Sequence, residues 1–190
     1  MTIAVLESAI EPILVDGLTW REFKAVEQRL TRPGLRLSFL AGVLELRKMP
    51  GRKHETIKKR IAALLEAYLE IKGFDFTPTG SMTFESEEAL VKREADESYE
   101  LESDRDRPDI AIEVAVTSGG IDKLEAYKRL QIPEVWIWQK GRLFLFAFRG
   151  DRYEAIASSE FLPDLDMELF DRYLNYSNHA VALREFRQAI

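Results

Sequence analysis

The sequence contains no cysteine and only two histidines among its 190 residues. These absences exclude disulfides, thiolate metal sites and cysteine nucleophiles. No segment reaches the roughly 18 consecutive apolar residues of a membrane-spanning helix. The first ten residues carry no basic group of the kind that opens a signal peptide. We therefore expect a cytoplasmic protein that does not insert into a membrane.

The composition is that of a folded domain. Apolar residues make up 46% of the chain and charged residues 32%, which is too rich in apolar groups for a disordered protein. A chain of 190 residues is within the usual range of one domain. We predict a single domain over residues 1–190, with an N-terminal extension at 1–16 and a C-terminal helical segment at 160–190.

The net charge of −6 argues against a non-specific polyanion binder, but the charges are unevenly distributed. Residues 47–60 contain seven Lys or Arg side chains against one acid, Glu55. Residues 85–106 contain ten acids against three basic residues. A basic segment next to an acidic one suits a metal-dependent enzyme that acts on a phosphodiester. Blocks of like charge also arise on solvated surfaces without any function, so this reading stays open.

Hydrophobic periodicity and capping residues predict an alternation of helices and strands. The predicted elements, in chain order, are a helix that begins at Thr19, a hairpin over 35–46, a helix over 54–72, a strand near 81–84, an acidic loop, a short strand near 97–101, a buried strand over 109–117, a helix over 121–130, a hairpin over 135–148 that residues 153–157 extend, and helices after 163. This order predicts an α/β fold with a mixed sheet flanked by helices.

One acid interrupts the most apolar of the predicted strands. Glu113 lies in a run that is otherwise apolar on both faces, as in a central buried strand. An unpaired carboxylate there would destabilise the fold by roughly several kcal/mol, or it would become protonated. Its face also carries Ala111 and Ala115, which leave room beside it. We interpret Glu113 as a functional acid in a cleft; the alternative is a structural acid paired with an arginine.

Three segments together resemble the Uma-type putative restriction endonuclease family of the PD-(D/E)xK nuclease superfamily. They are the acid–valine strand within 107–118, the Lys-Leu-x-x-Tyr helix within 122–127 and the Pro-Glu-x-Trp strand within 132–138. The resemblance implies a restriction-endonuclease-like fold and hydrolysis of DNA phosphodiester bonds with Mg²⁺ or Mn²⁺. Oxygen ligands suit Mg²⁺, which stabilises charge on the phosphate and generates a nucleophile at neutral pH.

The resemblance also implies roles for individual residues. Glu113 matches the acid of (D/E)xK, a metal ligand in that superfamily. The lysine expected two residues later is absent, because position 115 is alanine. In the resembled family the lysine comes from the following helix, where Lys123 is the matching residue. A long lysine side chain could reach the space beside Ala115, so Lys123 is the candidate for positioning or activating water; an exposed helix lysine is the alternative.

The first metal-binding Asp requires a distance argument. Asp109 follows Pro108, as in the superfamily's "PD", but it lies four residues from Glu113 on one strand. That separation is roughly 13 Å at about 3.3 Å per residue. Both ligands of one Mg²⁺ must come within about 2.1 Å of it. We therefore interpret Asp109 as a strand-entry residue and predict Asp96, where the resembled family has its first metal Asp, as the second ligand with Glu113.

Two further positions are candidates for the site. His54 and Glu55 begin the second predicted helix, whose N-terminus favours anions. His54 could bind phosphate or orient water; an exposed histidine without a role is the alternative. Glu45 is a further candidate, although its place between Leu44 and Leu46 also suits a surface residue.

The leading hypothesis is an enzyme, a Mg²⁺-dependent endonuclease that acts on DNA. The alternative is a catalytically inactive nuclease-fold protein that binds nucleic acid or a protein partner, which the missing lysine at 115 and the negative charge favour. A third is a hydrolase of smaller phosphoesters, which would need a closed pocket. The aromatic hairpin over 135–148 suggests a homodimer, unless the C-terminal helices bury it.

Overall fold

The computed structural model describes residues 11–30, 34–101, 107–116 and 120–190, which form two sheets and five helices. The helices are α1 (Trp20–Leu30), α2 (Arg52–Lys72), α3 (Lys123–Arg129), α4 (Met167–Leu174) and α5 (His179–Ala189). The α/β class and the succession of helices agree with the sequence prediction. Thr117 ends the predicted buried strand, and Ser118 and Gly119 belong to the turn after it. These three residues lie outside the described part of the chain. No helix in the described part of the chain is both long and apolar enough to cross a membrane.

The first sheet has five antiparallel strands in the order β1-β3-β2-β6-β5. Its strands are β1 (Ile13–Val15), β2 (Leu35–Leu40), β3 (Val43–Lys48), β5 (Thr83–Ser86) and β6 (Val91–Glu94). Residues 13–15, which we assigned to the N-terminal extension, therefore pair with β3. The predicted hairpin is β2–β3, and its turn contains Ala41 and Gly42, both with positive φ.

Helix α1 covers the first sheet. Thr19 and Glu22 form the predicted capping box: the Thr19 amide donates to Glu22 Oε2 at 2.8 Å, and the Glu22 amide donates to Thr19 Oγ1 at 3.3 Å. Phe23 of α1 stacks on Phe39 of β2 with ring centroids 4.6 Å apart. The helix therefore begins where the sequence predicted, and its apolar face stabilises the hairpin.

The second sheet has six strands in the order β11-β10-β9-β8-β7-β4, and only the β8–β9 pair is parallel within it. Its strands are β4 (Thr77–Pro78), β7 (Glu97–Glu100), β8 (Ile110–Ala115), β9 (Glu134–Gln139), β10 (Arg142–Phe148) and β11 (Tyr153–Ile156). The buried strand β8 is central, as predicted. Ile110, Ile112 and Val114 belong to one hydrophobic cluster and Ala111 to another, which confirms the predicted alternation of faces.

The chain crosses from the first sheet to the second between β6 and β7. The Ala95 amide donates to the carbonyl of Met82 in the first sheet, whereas the Asp96 amide donates to the carbonyl of Ile112 in the second. The predicted single mixed sheet is therefore divided in two. Strand β6 lies in the segment that was predicted to be an acidic loop. The prediction missed this strand because one of its inward positions is the buried Arg93 rather than an apolar residue.

The C-terminal helices cover one face of the second sheet. Trp136 of β9 is fully buried and meets Phe170 of α4 edge-on, with ring centroids 6.3 Å apart. Trp138 is buried too, and among the aromatic residues of the predicted hairpin only Phe144 is strongly exposed, at 45%. The structure thus favours the alternative in which the helices bury most of this aromatic surface.

Candidate active site

Glu113 lies at the centre of a buried charged cluster. Arg93 binds it in a two-pronged manner, with Nε 2.9 Å from Oε1 and Nη2 2.7 Å from Oε2. The Lys123 ammonium donates to Oε2 at 2.9 Å, and the Tyr127 hydroxyl donates to Oε1 at 2.6 Å. Burial acts to raise the pKa of Glu113, but the charges of Arg93 and Lys123 outweigh it and hold that pKa well below its usual range. The acid is therefore ionised.

Arg93 was missed by the sequence analysis. It comes from β6 of the first sheet, is 3% exposed, and also lies 3.6 Å from Glu45. Burial acts to lower its pKa, but the Glu113 charge more than compensates and raises it. A signal was present: Val91, Arg93 and Ala95 alternate on one buried face, and a buried arginine requires an acid.

Asp96 is the second buried carboxylate, at the crossing between the two sheets. Arg36 Nη1 lies 2.8 Å from its Oδ1, while the Val114 amide donates to Oδ2 at 2.8 Å and His54 Nε2 lies 3.0 Å from the same atom. Burial and the charge of Glu113 act to raise the pKa of Asp96. Its contacts with His54 and Arg36 outweigh them and lower it. Asp96 is therefore held ionised beside Glu113.

The two predicted helix residues reach these carboxylates from opposite sides of the sheet. Lys123 is the first residue of α3, whose N-cap Asp122 accepts the Glu125 amide at 3.1 Å. Its contact with Glu113 is the predicted one, and burial outweighs that contact to lower the pKa of Lys123. His54 lies in the first turn of α2, between Asp96 and Glu55, with its Nδ1 3.1 Å from Glu55 Oε1.

Glu45, the further candidate, is fully buried, so the alternative of a surface residue is wrong. Arg47 Nε lies 2.7 Å from its Oε1, and the Ile121 amide donates to its Oε2 at 2.8 Å. Gly120 has a φ of +97°, and a Cβ there would lie only 1.9 Å from Glu45 Oε2. A glycine is thus required where the segment before α3 passes over this carboxylate.

Asp109 does not take part in the cluster around Glu113. It precedes β8 and accepts the Leu101 amide on Oδ2 at 2.8 Å. This position agrees with the strand-entry role that the distance argument predicted.

The basic segment over 47–60 is divided between the interior and the surface. Lys58 and Arg60 are buried, and Arg60 Nη1 donates to the Leu174 carbonyl at 3.0 Å. Arg52 and Lys53 are exposed. The segment therefore does not form one continuous cationic surface.

The donor type of the two carboxylates suits a divalent cation, although their oxygens are engaged. The β7–β8 register, with Glu97 opposite Ile112, brings Asp96 beside Glu113. Two ionised carboxylates supply the hard oxygen ligands that Mg²⁺ prefers. Each oxygen of Glu113 already accepts two hydrogen bonds. Across the described ranges, no group of three or more His, Asp or Glu side chains is arranged to hold a metal ion.

Comparison with known proteins identifies a structural neighbour and a family. A structural neighbour is the crystal structure of a putative nuclease belonging to DUF820 from Anabaena variabilis ATCC 29413, with a TM-score of 0.57 and 14% sequence identity. The similarity covers 83% of this chain and 99% of that one, and at this identity it shows the fold alone. The search of curated proteins gave no match. The model of the Uma2 family, described as putative restriction endonuclease, matches residues 20–174, and the chain therefore belongs to that family.

Proposed function

We propose that the chain is a DNA endonuclease that depends on Mg²⁺ or Mn²⁺, with Asp96 and Glu113 as the metal ligands. Membership of the Uma2 family, which is described as putative restriction endonuclease, supports a nuclease function. The observation that carries the proposal is the pair of adjacent, buried and ionised carboxylates with Lys123 bound to one of them. A buried acid pair held ionised is costly for a fold and suits a cation-binding site.

The residues around the carboxylates have distinct roles in this proposal. A divalent cation held by Asp96 and Glu113 would stabilise charge on the scissile phosphate and lower the pKa of a bound water. Lys123 contributes a positive charge and a proton donor beside the attacked phosphate. His54 orients Asp96 from α2 through its 3.0 Å contact. Of the groups that bind Glu113, Lys123 has the most exposed side chain, at 19%, so Glu113 is reached from solvent on its side.

A second candidate function is a catalytically inactive nuclease fold that binds nucleic acid or a protein partner. The specific observation in its favour is the complete engagement of Glu113 by Arg93, Lys123 and Tyr127. A carboxylate neutralised in this way can serve the fold alone. The two functions differ in whether a cation can compete with these contacts.

The deciding experiment measures nicking of a supercoiled plasmid with Mg²⁺, with Mn²⁺ and with EDTA, together with calorimetric titration of Mn²⁺. The endonuclease should cut only with a divalent cation, and Asp96→Asn should lose both cleavage and Mn²⁺ binding. Lys123→Ala should lose cleavage but retain Mn²⁺ binding. A wild-type protein that binds no Mn²⁺ and cuts nothing would establish the inactive alternative. Thermal unfolding of each variant separates loss of chemistry from loss of fold.

Assembly and location complete the proposal. A homodimer remains our proposal, although the aromatic surface that suggested it is reduced to Phe144 and its surroundings. Light scattering at dilute concentration tests it, and a monomer mass would end it. The absence of cysteine suits a cytoplasmic, reducing location, which fractionation of cells would test.

A further inference from the structure

An open cleft of about 610 Å³ lies beside the candidate active site and contains none of its residues. It is formed by the first turns of α2, the turn between β9 and β10, and the C-terminal end of α4. Its lining residues are Arg52, Lys53, Thr56, Ile57, Trp138, Lys140, Gly141, Leu174 and Asn175.

The charges around this cleft are of one sign. Arg52, Lys53 and Lys140 are exposed, and in the described part of the chain none of the three forms an ion pair. Among the described residues, no acid lines the cleft. Many other surface cations have a carboxylate partner, as expected in a chain of net charge −6. Uncompensated cations on opposite walls of a cleft attract an anionic ligand.

The wall that carries Lys140 is held in place. The Asn175 side-chain amide donates to the Gly141 carbonyl at 2.8 Å and to the Asp171 carbonyl at 2.7 Å, which ties the β9–β10 turn to α4. Lys140 and Gly141 both have positive φ, so the turn has a defined conformation. The floor between the walls is apolar and includes Ile57 and Trp138.

The cleft lies close to the candidate active site along α2 and at the same end of strands β8 and β9. Arg52 and Lys53 immediately precede His54, which contacts Asp96. Trp138 pairs with Val114 in the parallel β8–β9 register, and the Val114 amide binds Asp96. A polymer bound at this end of the sheet, beside His54, can therefore continue over the first turn of α2 into the cleft.

We propose that this cleft binds the phosphodiester backbone of the DNA strand next to the scissile bond, through Arg52, Lys53 and Lys140. The inference rests on the proposed function, since it takes the polymer bound at the candidate active site to be DNA. An open cleft with cations on two walls suits an extended polyanion, whereas a small anion would be bound by convergent, enclosed donors. Lys140 extends the interface beyond the basic segment that the sequence indicated.

The test compares two triple variants with the same change in charge. Arg52→Gln/Lys53→Gln/Lys140→Gln removes the cleft cations, and Arg29→Gln/Lys72→Gln/Arg184→Gln removes three exposed cations elsewhere. Anisotropy of a labelled DNA in EDTA, over a series of salt concentrations, measures binding without cleavage. The cleft variant should bind at least about tenfold more weakly and lose about 2 from the slope of log affinity against log salt. The control should bind like the wild type.

The outcomes separate this inference from the proposed function. Equal losses in both variants, equal affinity in all proteins, or no binding by the wild type would each overturn the cleft assignment. Cleavage by wild type with Mg²⁺ in those cases would leave the nuclease function standing. Weakened binding by the cleft variant alone, in a wild-type protein that never cuts, would support the cleft and refute the nuclease. Stronger competition by RNA than by DNA would overturn the DNA assignment.

Discussion

Two glutamates of the second sheet are equally buried on neighbouring strands, yet they differ in the groups that donate hydrogen bonds to them. Glu113 of β8 and Glu134 of β9 are each 1% exposed. Glu134 accepts only neutral donors among its recorded contacts, namely the Trp136 indole at 2.5 Å and the Glu160 amide at 2.9 Å. Glu113 is bound by an arginine, a lysine and a phenol.

The comparison shows how the same side chain can serve two purposes. Glu134 ties residue 160 to the sheet through local contacts. Glu113 gathers Arg93 from the first sheet and Lys123 from α3, so it lies where three elements meet. A charge that draws its partners from several elements can be reached and exchanged, whereas one bound by neutral donors is a structural feature. The predictions below test this distinction.

The largest effect is expected from the matched substitutions Glu113→Gln and Glu134→Gln. Glu113→Gln should abolish cleavage and destabilise the fold by about 3 kcal/mol or more, because Arg93 stays buried with only Glu45 at 3.6 Å. Glu134→Gln should cost about 1–3 kcal/mol and leave cleavage intact. Urea unfolding and plasmid cleavage measure both. Because both hypotheses predict the loss of stability in Glu113→Gln, only the cleavage result for the pair separates them.

Removal of Arg93 should reverse the pH dependence of stability that Glu113 gives the wild type. In the wild type the pKa of Glu113 is lowered from about 4.5, so its ionised form stabilises the fold above that value and the benefit is lost as pH falls through the folded pKa. In Arg93→Met the burial penalty dominates, so the folded pKa should rise above the unfolded one. The variant should be destabilised at pH 7 by about 3 kcal/mol and recover part of its deficit toward pH 4. A deficit that is constant over this range would contradict the assigned role of Arg93.

Lys123→Ala should separate chemistry from stability. The lysine is partly exposed, and Arg93 and Tyr127 continue to hold Glu113, so the stability change should stay within about 1 kcal/mol. Cleavage should fall by about 100-fold or more if Lys123 acts beside the phosphate. Single-turnover rates at saturating metal provide the measurement. Unchanged rates would show that Lys123 takes no part in cleavage.

Among the changes to the groups that bind Glu113, the smallest effect on cleavage is expected from Tyr127→Phe. It removes the 2.6 Å hydrogen bond to Glu113 Oε1 while leaving the ring in the hydrophobic cluster with Phe84 and Ile132. We expect the free energy of unfolding to fall by about 1–3 kcal/mol and the affinity for Mn²⁺ to change little. Tyr153→Phe is the matched control, since its hydroxyl donates to the Ile132 carbonyl away from the carboxylates. A cleavage loss as large as that of Lys123→Ala would show that the phenol takes part in the chemistry.

Much of the fold was predictable because its signals are local. The capping box at Thr19, the glycine that ends α2 at Gly73 and the alternation in β8 each depend on residues close in sequence. The strand spacing also correctly separated Asp109 from Glu113. Strand β6 and its Arg93 were missed because a charged residue occupies a buried position there. Hydrophobic periodicity assigns such positions to the surface, as it also did for Glu45.

The sequence by itself determined that Glu113 would lie in a central buried strand, beside small side chains and within reach of Lys123. Only the tertiary structure decided which cations neutralise it and where the basic segment is exposed. Arg93 lies 20 residues from Glu113, and Lys140 lies far from Arg52 along the chain, in another element. Such pairs form through the packing of one sheet on another and of a hairpin turn on a helix, and local residue patterns carry no record of that packing.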